Sequence, residues 1–143
     1  MQRLIDTLTR EGCSLVIRSQ GQERIYWQRG VADLLQLLLT APDVLLHAQL
    51  ADKVVGKGAA ALMVLGHVGE VYARTISQPA LALLGDAGIA VSYGQCVDHI
   101  INRAGTDWCP VEKLCRQART ADEALPLIES FVAQMQNTKN THL

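Results

Sequence analysis

A three-layer αβα sandwich, with a mixed sheet that begins in a β-hairpin, is the architecture expected of this chain, and three observations carry that expectation. Strand-like and helix-like apolar periods alternate along the sequence after one early hairpin pattern, which is how an α/β sheet covered by helices reads. Hydrophobic residues make up 49% of the chain but aromatic ones only 4%, so the core must be built from Ala, Leu, Val and Ile packed between layers. At 143 residues, with no internal repeat or linker, the chain suits a single domain that buries roughly two thirds of its unfolded surface. That domain is expected over 1–136, with 137–143 as a frayed polar tail.

The elements follow in order. Leu4, Ile5 and Leu8 share one helical face, and Gly12 supplies a stop. Cys13 to Ser19 alternates Leu15 and Ile17 against Ser14 and Arg18, and Gln20-Gly21-Gln22 turns the chain into Glu23 to Arg29, where Ile25 and Trp27 alternate. Val31 to Leu39 has helical apolar spacing and ends at Thr40-Ala41-Pro42. Val44 to Ala51 is an apolar run between turn signals, expected to be a central strand covered on both faces, with Asp52 and Lys53 at its carboxyl end. Gly56-Lys57-Gly58 leads into an Ala-rich helix over 59–65 whose small side chains permit close packing on a sheet; Glu70 to Ile76 is the next strand. Ser77 as N-cap and Pro79 in the first turn start a helix that runs to Asp86, and Ile89 to Tyr93 is a further strand. After a short apolar segment, Val97 to Ile101, helix signals resume at Pro110. Thr120-Ala121-Asp122-Glu123 is a capping box for a helix over 124–136, with Leu125, Ile128, Phe131 and Val132 as its apolar stripe.

A net charge of −1 removes the electrostatic attraction that dominates binding to nucleic acids and anionic membranes, so neither is an expected partner. No apolar core follows a basic start in 1–12, and the longest apolar run, 31–51, is broken by Asp33, Gln36, Pro42, Asp43 and His47. Neither a secretory signal nor a membrane span is expected. Cys13, Cys96, Cys109 and Cys115 are scattered in a chain long enough to fold without staples, and are expected to be reduced thiols of a cytoplasmic protein.

Three spaced blocks resemble a bacterial and archaeal family of unknown function. They are Asp52-Lys53-Val54-Val55-Gly56-Lys57-Gly58-Ala59-Ala60-Ala61-Leu62, then Val71-Tyr72-Ala73 with Ser77-Gln78-Pro79-Ala80-Leu81 and Leu84, then Ile101-Asn102-Arg103 with Cys109-Pro110-Val111-Glu112. The resemblance spans nearly the whole chain and implies a cytidine-deaminase-like fold: a hairpin, then strand and helix units, with helices on both faces of the sheet. It does not carry the zinc chemistry of that fold. Zinc deaminases place a His or Cys, with a Glu two residues on, at one helix start and Pro-Cys-x-x-Cys at the next. Here the second position reads Pro79-Ala80-Leu81-Ala82, and the first offers Asp52-Lys53 and Gly56-Lys57-Gly58, without imidazole or thiol. His47-Ala48-Gln49 falls inside the expected strand, and Gln49 cannot act as the acid/base. No metal or other cofactor is expected; a site built from Asp52, Cys109 and Glu112 is the weaker alternative.

The segment 102–112 concentrates the remaining chemistry. Pro110 fits the first helical position, which makes Cys109 the N-cap and Glu112 the third residue. A thiol there gains thiolate character from the helix N-terminus, with Arg103 adding to it and Glu112 opposing it; the structural reading is a capping-box variant, and both stay open. Cys109 and Cys115 lie about 120° apart around a helix and make a poor chelating or redox pair. Lys53 and Lys57 beside two glycines suit a phosphate or carboxylate, without being a Walker A loop. Asp52 at a strand end points where open α/β sheets bind ligands, and Asn102 and Arg103 either contact a planar polar ligand or brace their own turn.

Two functions follow. In one, Cys109, Asp52 and Glu112 are catalytic and Lys53, Lys57, Ser77, Asn102 and Arg103 hold a small anionic or nucleotide-like molecule in a zinc-independent enzyme. In the other, the chain is a non-catalytic sensing or interaction module, with a homodimer through its Ala/Leu-rich helices as the candidate assembly.

Overall fold

The computed structural model describes residues 1–28, 31–102 and 104–141, with side chains through 136. Five strands form one mixed sheet in the order β2-β1-β3-β4-β5. The first pair is the expected hairpin: β1, Leu15–Ser19, and β2, Gln22–Tyr26, are antiparallel and close at Ser19↔Gln22. The two turn residues between them, Gln20 and Gly21, both have positive φ (55° and 75°), the geometry that matches the right-handed strand twist. β1 also runs antiparallel to β3, Gln49–Val55, which in turn is parallel to β4, Glu70–Ser77, and β4 is parallel to β5, Ala90–Val97.

Helices cover the sheet unequally. α1, Gln2–Glu11, lies on one face, where Leu4 and Leu8 pack with Cys13, Val16 and Ala51 in a small cluster. On the other face α2, Ala32–Thr40, α3, Lys57–Leu65, α4, Gln78–Asp86, and α6, Ala121–Thr141, close one large cluster over Ile17, Leu50, Val71 and Ala73. A fifth element on this face, the short α5, Pro110–Leu114, delivers Val111 to the same cluster. α3 is the centre of that layer: Gly58 through Met63 are all buried against the sheet, α4 and α6. Its Ala stripe is therefore spent inside the domain and is no surface for a second copy.

Several boundaries differ from expectation, that of β3 most. The apolar run from Val44 is not strand throughout: Pro42–Val44 is a 3₁₀ turn, and His47 adopts a left-handed φ of 57°. Leu45 is fully buried because it tucks under the end of α3 against Gly66, where a Cβ would meet its side chain at 2.7 Å. β3 consequently starts at Gln49 and continues through Asp52 and Lys53, which lie within the strand rather than at its end, because partners on both sides satisfy its backbone. β5 runs on from Tyr93 to Val97 along β4. α6 continues past Gln136 to Thr141, so part of the expected tail is helical. Among the described residues no helix is long and apolar enough to cross a membrane.

Candidate functional site

The carboxyl ends of the parallel strands carry two helix starts side by side. Val55 pairs with Ile76, and the next residues in each strand, Gly56 and Ser77, are the N-caps of α3 and α4. Ser77 is fully buried, and its Oγ accepts from the Ala80 N–H at 3.3 Å, the local bond its residue type favours at this position. Gly56 has no side chain with which to cap, and α3 is capped from elsewhere. Glu112, only 2% exposed, reaches in from α5, and its Oε2 accepts from the Lys57 N–H at 2.8 Å. A carboxylate is the natural complement of an exposed helix N-terminus.

That arrangement explains the glycines. A Cβ on Gly56 would stand 2.2 Å from Glu112 Oε2, and one on Gly58 would stand 2.4 Å from Val111 Cγ1. Lys57 completes the connection in the opposite direction: its Nζ donates to the carbonyls of Arg116, at 3.2 Å, and Ala118, just beyond α5. Two of the three sequence blocks, 52–62 and 101–112, thus form one clasp in which α5 caps α3 and the first residue of α3 closes the exit of α5. Glu112 does not bond back to the N-H of Cys109, so the capping-box variant is replaced by a long-range cap. Its Oε1 is buried without a partner among the described residues.

The other candidates are placed as follows. Cys109 is the N-cap of α5, half-buried and without a side-chain capping bond; its N–H donates to Ile100 O at 2.7 Å. Cys115 is buried behind it, and burial pushes its thiol up to about 11. Asn102 folds its own loop: Oδ1 accepts from Thr106 N at 3.1 Å and the Asn102 carbonyl accepts from Gly105 N at 3.1 Å, where Gly105 takes a φ of 71°. Arg103 lies outside the described residues. Lys53 points to the α1 side, and its Nζ donates to Gly12 O at 3.0 Å.

Asp52 stands apart from the clasp. The register sets it in a row across all five strands, Tyr26, Leu15, Asp52, Ala73 and Tyr93. Oδ1 accepts from Val54 N at 3.3 Å, but that bond does not offset the loss of water, and burial pushes the carboxyl up to about 7. The structure therefore brings Lys57, Ser77, Cys109 and Glu112 to one end of the sheet and leaves Asp52 and Lys53 on opposite faces of β3. Asp52, Cys109 and Glu112 do not converge, and among the described residues no three His, Cys, Asp or Glu side chains form a group able to hold a metal.

Two details escaped the sequence, the partners of Trp108 and the burial of Asp33. Trp108 stacks on His99 with ring centroids 4.1 Å apart, and the Arg116 guanidinium lies 5.6 Å from the Trp108 ring, so the tryptophan packs against its own chain. Asp33, in the first turn of α2, has a buried Oδ2 with no described partner, and burial raises its pKa. An acid at a helix start was the available signal, but partial burial could not be read from it. Two open grooves among the described residues lie elsewhere: about 490 Å³ beside the hairpin turn, lined by Arg18, Asp43, His47 and Gln49, and about 590 Å³ between α5 and α6, lined by Lys113, Arg116, Leu127 and Phe131. Neither is lined by a candidate side chain.

Residues 3–132 match the profile of a family described as TM1506, Domain of unknown function (DUF1893). Among solved structures, a DUF1893 family protein (TM1506) from Thermotoga maritima is similar, with a TM-score of 0.82 and 25% identity over 90% of this chain and 87% of the other. No curated protein matches the chain.

Proposed function

The chain belongs to the DUF1893 family, and from that premise we propose that it is a non-catalytic interaction module of cytidine-deaminase-like fold whose helix-start position is closed to small ligands. One observation carries the reading: the position at the N-terminus of α3, where the fold would present a ligand to two helix starts, is filled by the chain's own Glu112 carboxylate on Lys57 N. Lys57, the nearest cation, is turned away onto carbonyls. The deaminase-like assignment rests on the strand order, with an antiparallel hairpin feeding a parallel three-strand unit. A cytoplasmic location rests on four free cysteines.

The test is thermal unfolding with inorganic phosphate and with nucleoside monophosphates. A ligand at about 100 times its Kd stabilises a protein by about 2.7 kcal/mol; no rise in Tm is expected here. A saturable rise overturns the reading.

A second reading is favoured by Cys109: an uncapped thiol at a helix start is a feature of thiol chemistry. In that reading Cys109 is the nucleophile, Glu112 handles protons, and Lys57, Ser77, Asn102 and Arg103 hold an anionic or nucleotide-like small molecule. Alkylation of Cys109 by iodoacetamide across pH separates the two: a rate no higher than that of a free thiol removes the nucleophile.

A further inference from the structure

The start of α3 carries the parts of an oxyanion site, and α5 holds each of them shut. α3 is nine residues long, enough for its free N–H groups and dipole to attract an anion, and α4 begins beside it, one strand over. Gly56 and Gly58 leave the backbone of the first turn bare of Cβ atoms. In each case the nearest obstacle to a Cβ belongs to α5, Glu112 Oε2 for the first and Val111 Cγ1 for the second. Lys57 supplies a cation at the same turn, but its ammonium lies on the Arg116 and Ala118 carbonyls that follow α5. One movement of α5 therefore withdraws the resident carboxylate and frees the lysine together.

Glu112 is an imperfect occupant. It is 2% exposed, and its Oε2 is bonded to the Lys57 N–H, but Oε1 is buried without a partner among the described residues. A buried carboxylate oxygen that makes no hydrogen bond raises the free energy of the closed form, and it regains water as soon as α5 opens. Of the five residues of α5 only Val111 and Glu112 are buried, with Cys115 following, and the N-cap Cys109 makes no side-chain bond. A segment with so few anchors opens locally ahead of its domain.

We propose that the start of α3 is an autoinhibited oxyanion site: α5 is a strap, Glu112 is its built-in anion, and an external phosphate group takes the position when the strap is out. The Lys57 N–H, the rest of the first turn and the released Lys57 ammonium, a common phosphate ligand, then serve that group. This inference rests on the reading that the position is closed in the resting chain, and it adds what the closure excludes and what releases it.

The test compares wild type, Glu112→Gln and Glu112→Ala in thermal unfolding with inorganic phosphate against chloride of equal ionic strength. Gln keeps the shape of the plug and a carbonyl for the Lys57 N–H, so that variant reports the general stabilisation that phosphate gives any protein. With about 100 mM phosphate and a Kd on the order of 1 mM, the Tm of Glu112→Ala should rise saturably by about 5–10 °C more than that of Glu112→Gln. Glu112→Ala/Lys57→Met should bind phosphate at least about 10-fold more weakly than Glu112→Ala, a loss that a cavity filling with any solute does not show. Hydrogen exchange of the wild type needs no variant. An opening populated below about 0.1% gains up to about 100-fold at 100 times Kd and stays a minor form, so Tm is unmoved while exchange over 110–118 accelerates. Unchanged exchange over 110–118 overturns the proposal, as does a Glu112→Ala rise no larger than that of Glu112→Gln, or one that survives Lys57→Met. A saturable Tm rise in the wild type is the separate result that overturns the closed reading beneath it.

Discussion

At the residue scale, the tightest relation in the molecule is between an atom that is present and one that is missing. Glu112 occupies the space that a Cβ on Gly56 would need, 2.2 Å from its Oε2. Gly56→Ala should therefore destabilise the protein by about 2–4 kcal/mol, and Glu112→Ala, which strips the Lys57 N–H of its acceptor, by about 2–3 kcal/mol. Urea denaturation of the double variant should show less than the sum by about 1 kcal/mol or more, because the clash needs both partners; strict additivity would remove the account. Asp52 supports a prediction of different sign. Its folded pKa, about 7, lies above the ordinary 3.8, so between those values the native state holds a proton that the unfolded chain releases. The stabilisation is complete below pH 3.8 and lost as pH rises toward 7, by about 4 kcal/mol at most. Asp52→Asn is neutral throughout, so its stability relative to wild type should rise from pH 4 to about pH 7 and level off above it. A flat difference between the two denaturation curves would show that Asp52 is not held up by burial.

At the scale of elements, α3 and α5 hold each other. Lys57→Met removes the ammonium from the Arg116 and Ala118 carbonyls while keeping most of the packing, and a lost bond to a charged group is worth about 1.5–3 kcal/mol. Hydrogen exchange should accelerate over 110–118 and remain unchanged over the hairpin 15–26; unchanged exchange in 110–118 would count against the clasp. The elements differ in how far the sequence disclosed them. Local chemistry disclosed the hairpin, through Gln20-Gly21, and two helix starts: Ser77 caps α4, and Thr120 Oγ1 accepts from Glu123 N at 3.2 Å. What depends on distant partners stayed hidden. Glu112 reads as a capping-box residue because its spacing from Cys109 is local, but its partner lies 55 positions away. The charges of Asp52 and Lys53 read as a strand end, but neighbours on both sides carry β3 past them. For Asn102 the sequence left ligand contact and turn brace both open, and only the folded loop shows its Oδ1 on Thr106 N; the stack of Trp108 on His99 depends on a loop closure that no periodicity encodes.

At the scale of the whole molecule, the layers are unequal, and stability should follow. The face bearing α2 to α6 is sealed by one cluster running from Leu34 to Ile128, whereas among the described residues the opposite face is covered by α1 alone, through Leu4 and Leu8. α1 has an unaided start, since Met1 makes no side-chain cap, and it ends at Gly12 in a left-handed conformation. Its tertiary anchors are few and mostly exposed: besides the two leucines and Met1, Lys53 Nζ holds the Gly12 carbonyl, Arg74 reaches Thr9 Oγ1 at 3.4 Å, and Arg3 pairs with Glu23 of β2 at 3.5 Å. An element held by so little buried surface opens before the rest of a domain does. Amides of α1 should therefore exchange through a sub-global opening, faster than those of α3, whose residues from Gly58 to Met63 are buried on every side. Leu8→Ala should widen that gap. It removes a fully buried side chain at a cost of about 2–4 kcal/mol, and because α1 is absent from the main cluster, its opening free energy should fall while protection of β4 and α3 falls no further than global stability does. Exchange followed by mass spectrometry in native conditions reads both quantities at once. Identical protection of α1 and α3 in the wild type would mean that the two faces fold as one cooperative unit despite their unequal cover.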